Sequence, residues 1–184
     1  MNLARITIAL VVCLAGCGGD AARLSVSPAV SEMQTRVSVR SVAVADISLP
    51  EYASASEVVR ETEGGLIEVV PDLIWADVPE DAMANAVVRH LSQITSVPVA
   101  RTPWPLSSYP DAELTIRAER MLLGADGQLH LSGQFAIRRD DGAWAERIRS
   151  FDIAVPVRGE DLPALADAHG EAWRALSEQI AGQL

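Results

Sequence analysis

Ala112-Glu113-Leu114-Thr115-Ile116-Arg117-Ala118 and Leu129-His130-Leu131-Ser132-Gly133-Gln134-Phe135-Ala136-Ile137, with Asp126-Gly127 between them, carry the clearest local pattern in the chain. Apolar and polar residues alternate on both sides of a dipeptide that supplies the positive φ angles of a tight hairpin turn. A two-residue turn at Asp126-Gly127 sets Leu122 opposite Leu131, Ala118 opposite Phe135 and Ile116 opposite Ile137. Leu114, Ile116, Ala118, Leu122, Leu131, Phe135 and Ile137 then share a dry face. Thr115, Arg117, Glu119, His130, Ser132, Gln134 and Arg138 share a wet one, as in an antiparallel sheet covered on one side.

Working outward towards the C-terminus, Asp140-Asp141-Gly142 reads as a second turn. A third strand follows, with Trp144 and Ile148 in one phase and Phe151, Ile153 and Val155 in the other; a bulge near Arg149-Ser150 would reconcile them. Asp161 opens a helix with Pro163 early in it, and Leu165, Ala168, Ala172, Leu176 and Ile180 form its apolar stripe.

On the N-terminal side, Pro79 begins another helix, with Glu80 and Asp81 complementing its dipole. Met83, Ala86, Val87, His90, Leu91 and Ile94 recur at helical spacing, and Ser96-Val97-Pro98 ends it. Val99 to Arg101 suits a brief strand, and Thr102-Pro103-Trp104-Pro105 a rigid loop. Earlier still, Val37 to Ile47 reads as a long strand whose alternation slips near Arg40-Ser41. Glu57 to Thr62 and Leu66 to Val70 are strands joined at Gly64-Gly65. The expected class is α+β: one domain, residues 36–184, with an antiparallel β-sheet and two α-helices packed on one face. There is no internal repeat.

The first 16 residues have a different character. One charge, Arg5, precedes the apolar run Ile6 to Leu14, which is too short for the roughly 20 residues that span a bilayer. Leu14-Ala15-Gly16 then leads into Cys17, which resembles the lipobox of bacterial lipoproteins. That resemblance implies acylation of the Cys17 thiol, removal of 1–16 as a signal peptide, and acylation of the freed amine. A single acyl chain holds a protein only marginally, whereas three make the anchor effectively permanent. Gly18 stands where aspartate is the usual inner-membrane retention signal, which directs the chain to the outer membrane, facing the periplasm. Residues 17–35, rich in Gly, Ser and Pro, read as a flexible tether. Cys13 leaves with the signal, so the mature chain has no pair of thiols for a disulfide.

The 184 residues carry a formal charge of −10, or −11 without Arg5, and all 15 basic residues are arginine. Such an acidic chain is a poor partner for nucleic acid by bulk charge. No catalytic residue, cofactor or metal is expected. His90, His130 and His169 have no metal spacing, and no Gly-x-Ser-x-Gly elbow or phosphate loop follows the signal. For contacts with partners, Tyr52 follows Pro50 out of a strand, and Trp104 is held between two prolines. Either ring can instead fold back to seal the core. Trp75 and Trp173 lie among apolar residues and read as core.

Val44-Ala45-Asp46-Ile47-Ser48-Leu49-Pro50-Glu51-Tyr52, Val58-Val59-Arg60-Glu61-Thr62, Leu73-Ile74-Trp75-Ala76, Leu129 to Phe135, and Ala172-Trp173 to Ile180 follow in an order that resembles the PqiC-like auxiliary lipoproteins of ABC-type transporters. The Tyr-x-Leu start common in that family is reduced here to Leu24-Ser25, and Phe135 stands where Trp is frequent. The resemblance implies a non-enzymatic subunit under the outer membrane that docks an MCE-domain protein, as a ring-shaped homo-oligomer, in a system moving lipid between membranes and maintaining the barrier. Two other readings stay open: a carrier binding lipid directly, and a lipoprotein stabilising another outer-membrane assembly.

Overall fold

The computed structural model describes residues 21–139, 146–159 and 161–184. The signal peptide, Cys17, the Asp140-Asp141-Gly142 turn and Trp144 lie outside them. Eight strands form one sheet: β1 (Ala22–Leu24), β2 (Val42–Val44), β3 (Glu57–Glu61), β4 (Ile67–Trp75), β5 (Val99–Arg101), β6 (Ala112–Leu123), β7 (Gln128–Arg138) and β8 (Arg147–Pro156). The helices are α1 (Glu51–Ser54), α2 (Pro79–Thr95) and α3 (Leu162–Ala181).

The sheet is mixed, which corrects the antiparallel expectation. β3–β4, β6–β7 and β7–β8 are antiparallel, but β1–β4, β2–β5, β2–β6 and β3–β6 are parallel. β7 occupies one edge of β6 along its length. The other edge is shared: β2 pairs with Ala112–Leu114, Ser48 bridges Arg117, and β3 meets Leu123. This fork explains the slipped alternation around residue 42. Val42, Ala43 and Val44 are buried on both faces because β2 runs parallel between β5 and β6, where strands read as continuous apolar runs. The long strand expected over 37–47 is therefore three residues.

The hairpin exists, but with a different register. Gly124 N–H donates to the Gln128 carbonyl, and Gly127, at φ 75°, closes a turn that includes Ala125. The extra loop residue sets Met121 opposite Leu131 and Leu122 opposite His130. A bulge between Ala118 and Arg120 shifts the pairing once more, so Ile116 faces Phe135 and Leu114 faces Ile137. The residues assigned to the dry face are nonetheless all buried, joined by Met121 and Leu129. The bulge expected at Arg149-Ser150 is absent: β8 pairs with β7 without a break from Arg147 to Pro156. Ile148 had suggested it, and that side chain points outward at 66% exposure.

Asp161 caps α3, its carboxylate accepting the Ala164 N–H, with Pro163 in the first turn. The expected stripes of α2 and α3 are buried, with Trp173 at the centre and Trp75 beside His169. α2 packs on α3, β2 and β5, and α3 also packs on β7 and β8.

The largest departure is at the N-terminus. Residues 22–35, expected as tether, belong to the folded unit. Leu24 is buried, its carbonyl accepts the Ala76 N–H, and β1 lies parallel to Leu73–Trp75. The chain then straps α3: Ser27 Oγ donates to Asp167 at 2.6 Å and Ser31 Oγ to Glu178 at 2.6 Å. Thr35 N–H donates to the Ile94 carbonyl. Gly170 lets the Ser27 carbonyl approach the helix where any Cβ would collide with it.

Candidate functional site

Strand pairing gives the molecule two ends. Arg60 pairs with Leu123, Leu123 with Leu129, and Gln128 with Pro156. The β3–β4 turn, the β6–β7 turn and the start of α3 thus lie together. At the other end, Val42 pairs with Ala112, Glu113 with Arg138 and Ile137 with Arg147. Twelve residues of β6 separate them, about 40 Å at the rise of a strand.

β1 enters from the first end, since it runs parallel to β4 away from the β3–β4 turn. A groove of about 490 Å³ opens there, lined by Arg60, Val70, Leu73, Leu123, Leu162 and Leu165 among others. A second groove of about 560 Å³ lies between the strap and α3 and is lined by Glu32, Asp167, Glu171, Arg174 and Glu178 beside Val30 and Met33.

The connection from β5 to β6, residues 102–111, leaves β5 where Arg101 stands opposite Val44 and returns to the second end at Asp111. Asp111 pins its base. That carboxylate accepts the Arg40 backbone N–H at 2.8 Å and the Arg139 guanidinium at 3.3 Å, while Ser41 Oγ accepts the Asp111 N–H. The backbone donor, with the two arginines, holds the Asp111 carboxyl below the usual carboxylate range. Above this base Tyr109 is 96% exposed, and Leu106 also faces solvent.

Of the residues singled out in the sequence, Trp104 lies on this connection, half-buried, its indole Nε1 buried without a hydrogen-bond partner among the described residues. Pro50 precedes α1, and Tyr52 sits within it. The Tyr52 hydroxyl accepts the Met121 N–H at 3.3 Å and its ring packs on the core. Tyr52 thereby covers the stretch of β6 edge between Ser48 and β3, the structural use of that ring weighed above. Tyr109 and Leu106 escaped the sequence reading because Leu106-Ser107-Ser108-Tyr109-Pro110 has no periodicity. The one available signal was an aromatic directly before a proline, in a loop already holding Trp104.

The described residues contain no group of three His, Cys, Asp or Glu side chains able to hold a metal ion, and no helix long and apolar enough to cross a membrane. His90 is fully buried, and both ring nitrogens lack partners among the described residues. Burial, then the nearby Arg89 and Arg174, push its pKa down to about 4. Burial alone pushes His169 down to about 3.

Comparison with solved structures places the fold. An uncharacterised protein of known crystal structure superposes with a TM-score of 0.69 at 18% identity, over 83% of this chain and 99% of its own. Protein XCC0632 from Xanthomonas campestris, of the family DUF330, gives 0.64 at 21% identity over 88% and 89%. PelC from Paraburkholderia phytofirmans, a dodecamer, is more distant, at 0.45 and 16% identity over 75% and 86%. Comparison with curated proteins finds no match. The family model for the ABC-type transport auxiliary lipoprotein component matches residues 23–181, beginning inside β1 and not at residue 36. The chain belongs to the family of ABC-type transport auxiliary lipoprotein components, a class of transport subunit and not of enzyme.

Proposed function

We propose that the chain is the outer-membrane-anchored subunit of an MCE/ABC-type intermembrane lipid transport system. In this reading Cys17 carries the acyl chains, the domain faces the periplasm, and its distal end docks the MCE-domain protein that spans towards the inner membrane. Assembly as a homo-oligomeric ring belongs to the same reading. The observation that carries it is the polarity of the fold. The chain enters β1 level with the last residues of β6, and the loop of Trp104, Leu106 and Tyr109 returns to the start of β6, about 30 Å away. Exposed Tyr and Trp are frequent anchors of interfaces.

A photo-crosslinking residue in place of Tyr109, in cells holding the native transport system, tests this. Capture of an MCE-domain protein is expected, with little capture from position 152 on the solvent side of β8. Capture of an outer-membrane barrel alone would favour the reading in which the chain stabilises another assembly.

The groove at the β1 end favours one alternative, direct lipid binding. Its volume suits a small ligand, within the usual 300–1,000 Å³ of such sites, and it lies open at the surface beside Arg60. Stoichiometric phospholipid in an organic extract of the purified protein would support the carrier; its absence is expected for a docking subunit.

A further inference from the structure

We propose that the end of the sheet formed by the β3–β4 turn rests directly on the lipid surface, with Leu66, Ile67 and Val69 as its contact residues. This rests on the reading of Cys17 as the acylated residue. Three observations place the surface there.

The first is chain length. Because residues 22–35 are fastened to the domain, the link from Cys17 to β1 is five residue steps and not a long tether. Five steps reach at most about 18 Å. The second is direction. β1 is parallel to β4, with Ala22 beside Leu73, so the chain before Ala22 departs from the same side as the β3–β4 turn. β4 bulges between the pairs Glu57–Ile74 and Val59–Val69, so from Leu73 back to Ile67 the hairpin advances only about three residues of β3, roughly 10 Å. The turn thus projects less far than the link can reach, and a bilayer drawn in by the Cys17 acyl chains meets the turn first.

The third is what the turn exposes. Leu66 is 65% and Val69 53% exposed, with Ile67 beside them. In the hairpin, Ile67 stands opposite Glu61 and Val69 opposite Val59, so the apolar pair shares the face turned away from the core. Leu162, also exposed, sits at the same end at the start of α3. Aliphatic side chains clustered at one tip are unusual for a surface left in water, and the interface of a bilayer accommodates such groups. With Glu63 and Glu68 flanking them, the contact is apolar and not driven by attraction to anionic headgroups.

The test uses the mature protein purified from membranes and reconstituted into vesicles of phosphatidylethanolamine and phosphatidylglycerol. The acylated Cys17 has no free thiol, so Leu66→Cys and Tyr109→Cys each offer one site for an environment-sensitive fluorophore. The expected result is blue-shifted emission from position 66, quenched at least twofold by spin-labelled lipids, with neither effect at position 109. Flotation with the vesicles but equal, water-like emission at both positions would overturn the contact and leave the anchor standing. Failure to float would overturn the anchor and the contact together. Blue-shifted emission at 66 that spin-labelled lipids do not quench would mean that a second copy covers the turn, and would also overturn the proposal. Quenching at 109 instead of 66 would reverse the orientation.

Discussion

Gly133→Ala is expected to lower the stability of the folded chain by about 3 kcal/mol or more. Gly133 sits in β7 at φ 156°, opposite the bulge that β6 makes between Ala118 and Arg120. A Cβ there would overlap the Arg117 carbonyl oxygen and stand 2.9 Å from the Ala118 Cα. Both are backbone atoms within a paired strand, so neither can give way as a flexible side chain would. Relief requires opening the bulge, which would shift the pairing that buries Ile116 against Phe135. Gly127→Ala is the matched control. Gly127 has φ 75° but nothing within 4 Å of its missing Cβ, so only the left-handed backbone is penalised, by about 1 kcal/mol. Thermal unfolding of both variants should show Gly133→Ala shifted down by several times as much. Equal shifts would mean that the bulge does not approach Gly133 as described.

The second large effect is a loss of stability in mild acid. His90 and His169 are neutral in the folded chain, with pKa values lowered to about 4 and about 3 by burial, against an ordinary 6.5. Above pH 6.5 neither state takes up a proton, and stability is at its plateau. Below it the unfolded chain binds protons that the folded chain refuses, so stability falls until the folded values are reached. At about 1.4 kcal/mol per pH unit for each proton, the two histidines remove about 4 kcal/mol between pH 6 and 4.5. Denaturant unfolding across this range should show a slope approaching two protons. Asp111, whose carboxyl is held below the usual range, loses its stabilising contribution only in stronger acid, so the windows separate. His90→Leu should halve the slope above pH 4.5; an unchanged slope would place the titration elsewhere.

The sequence reading succeeded where one signal dominates locally. Pro79 with two acids, and Asp161 with Pro163, mark helix starts through backbone chemistry that tertiary packing does not override, and the apolar stripes of α2 and α3 followed. It failed where partners distant in sequence decide the outcome. The register turned on whether Ala125 belongs to the strand or the loop, a choice local alternation cannot make. Ile148 forced a bulge on the reading because an exposed aliphatic residue was taken as buried. β1 was invisible because three residues have no period, and the strap behind it is held by serine hydroxyls and backbone groups that leave no apolar rhythm. At the candidate interface Trp104 was legible from its prolines. Tyr109 was not, since its exposure depends on how the connection returns to β6 at Asp111, which no local pattern marks.

The consequence of β1 for function is the larger one. A tether over 17–35 would let the domain float free of the membrane, whereas with Cys17 acylated, as proposed, a short link would fix which end faces lipid and which faces the periplasm. Both proposals depend on the modification of one sulfur. The most direct measurement is the intact mass of the mature protein extracted from membranes, with fragmentation of its N-terminal peptide. The expected result is a chain beginning at Cys17 and carrying a diacylglyceryl thioether and an amide-linked acyl chain, recovered with the outer membrane. An unmodified polypeptide in the soluble periplasmic fraction, beginning after Cys17 or retaining a free thiol there, would contradict it.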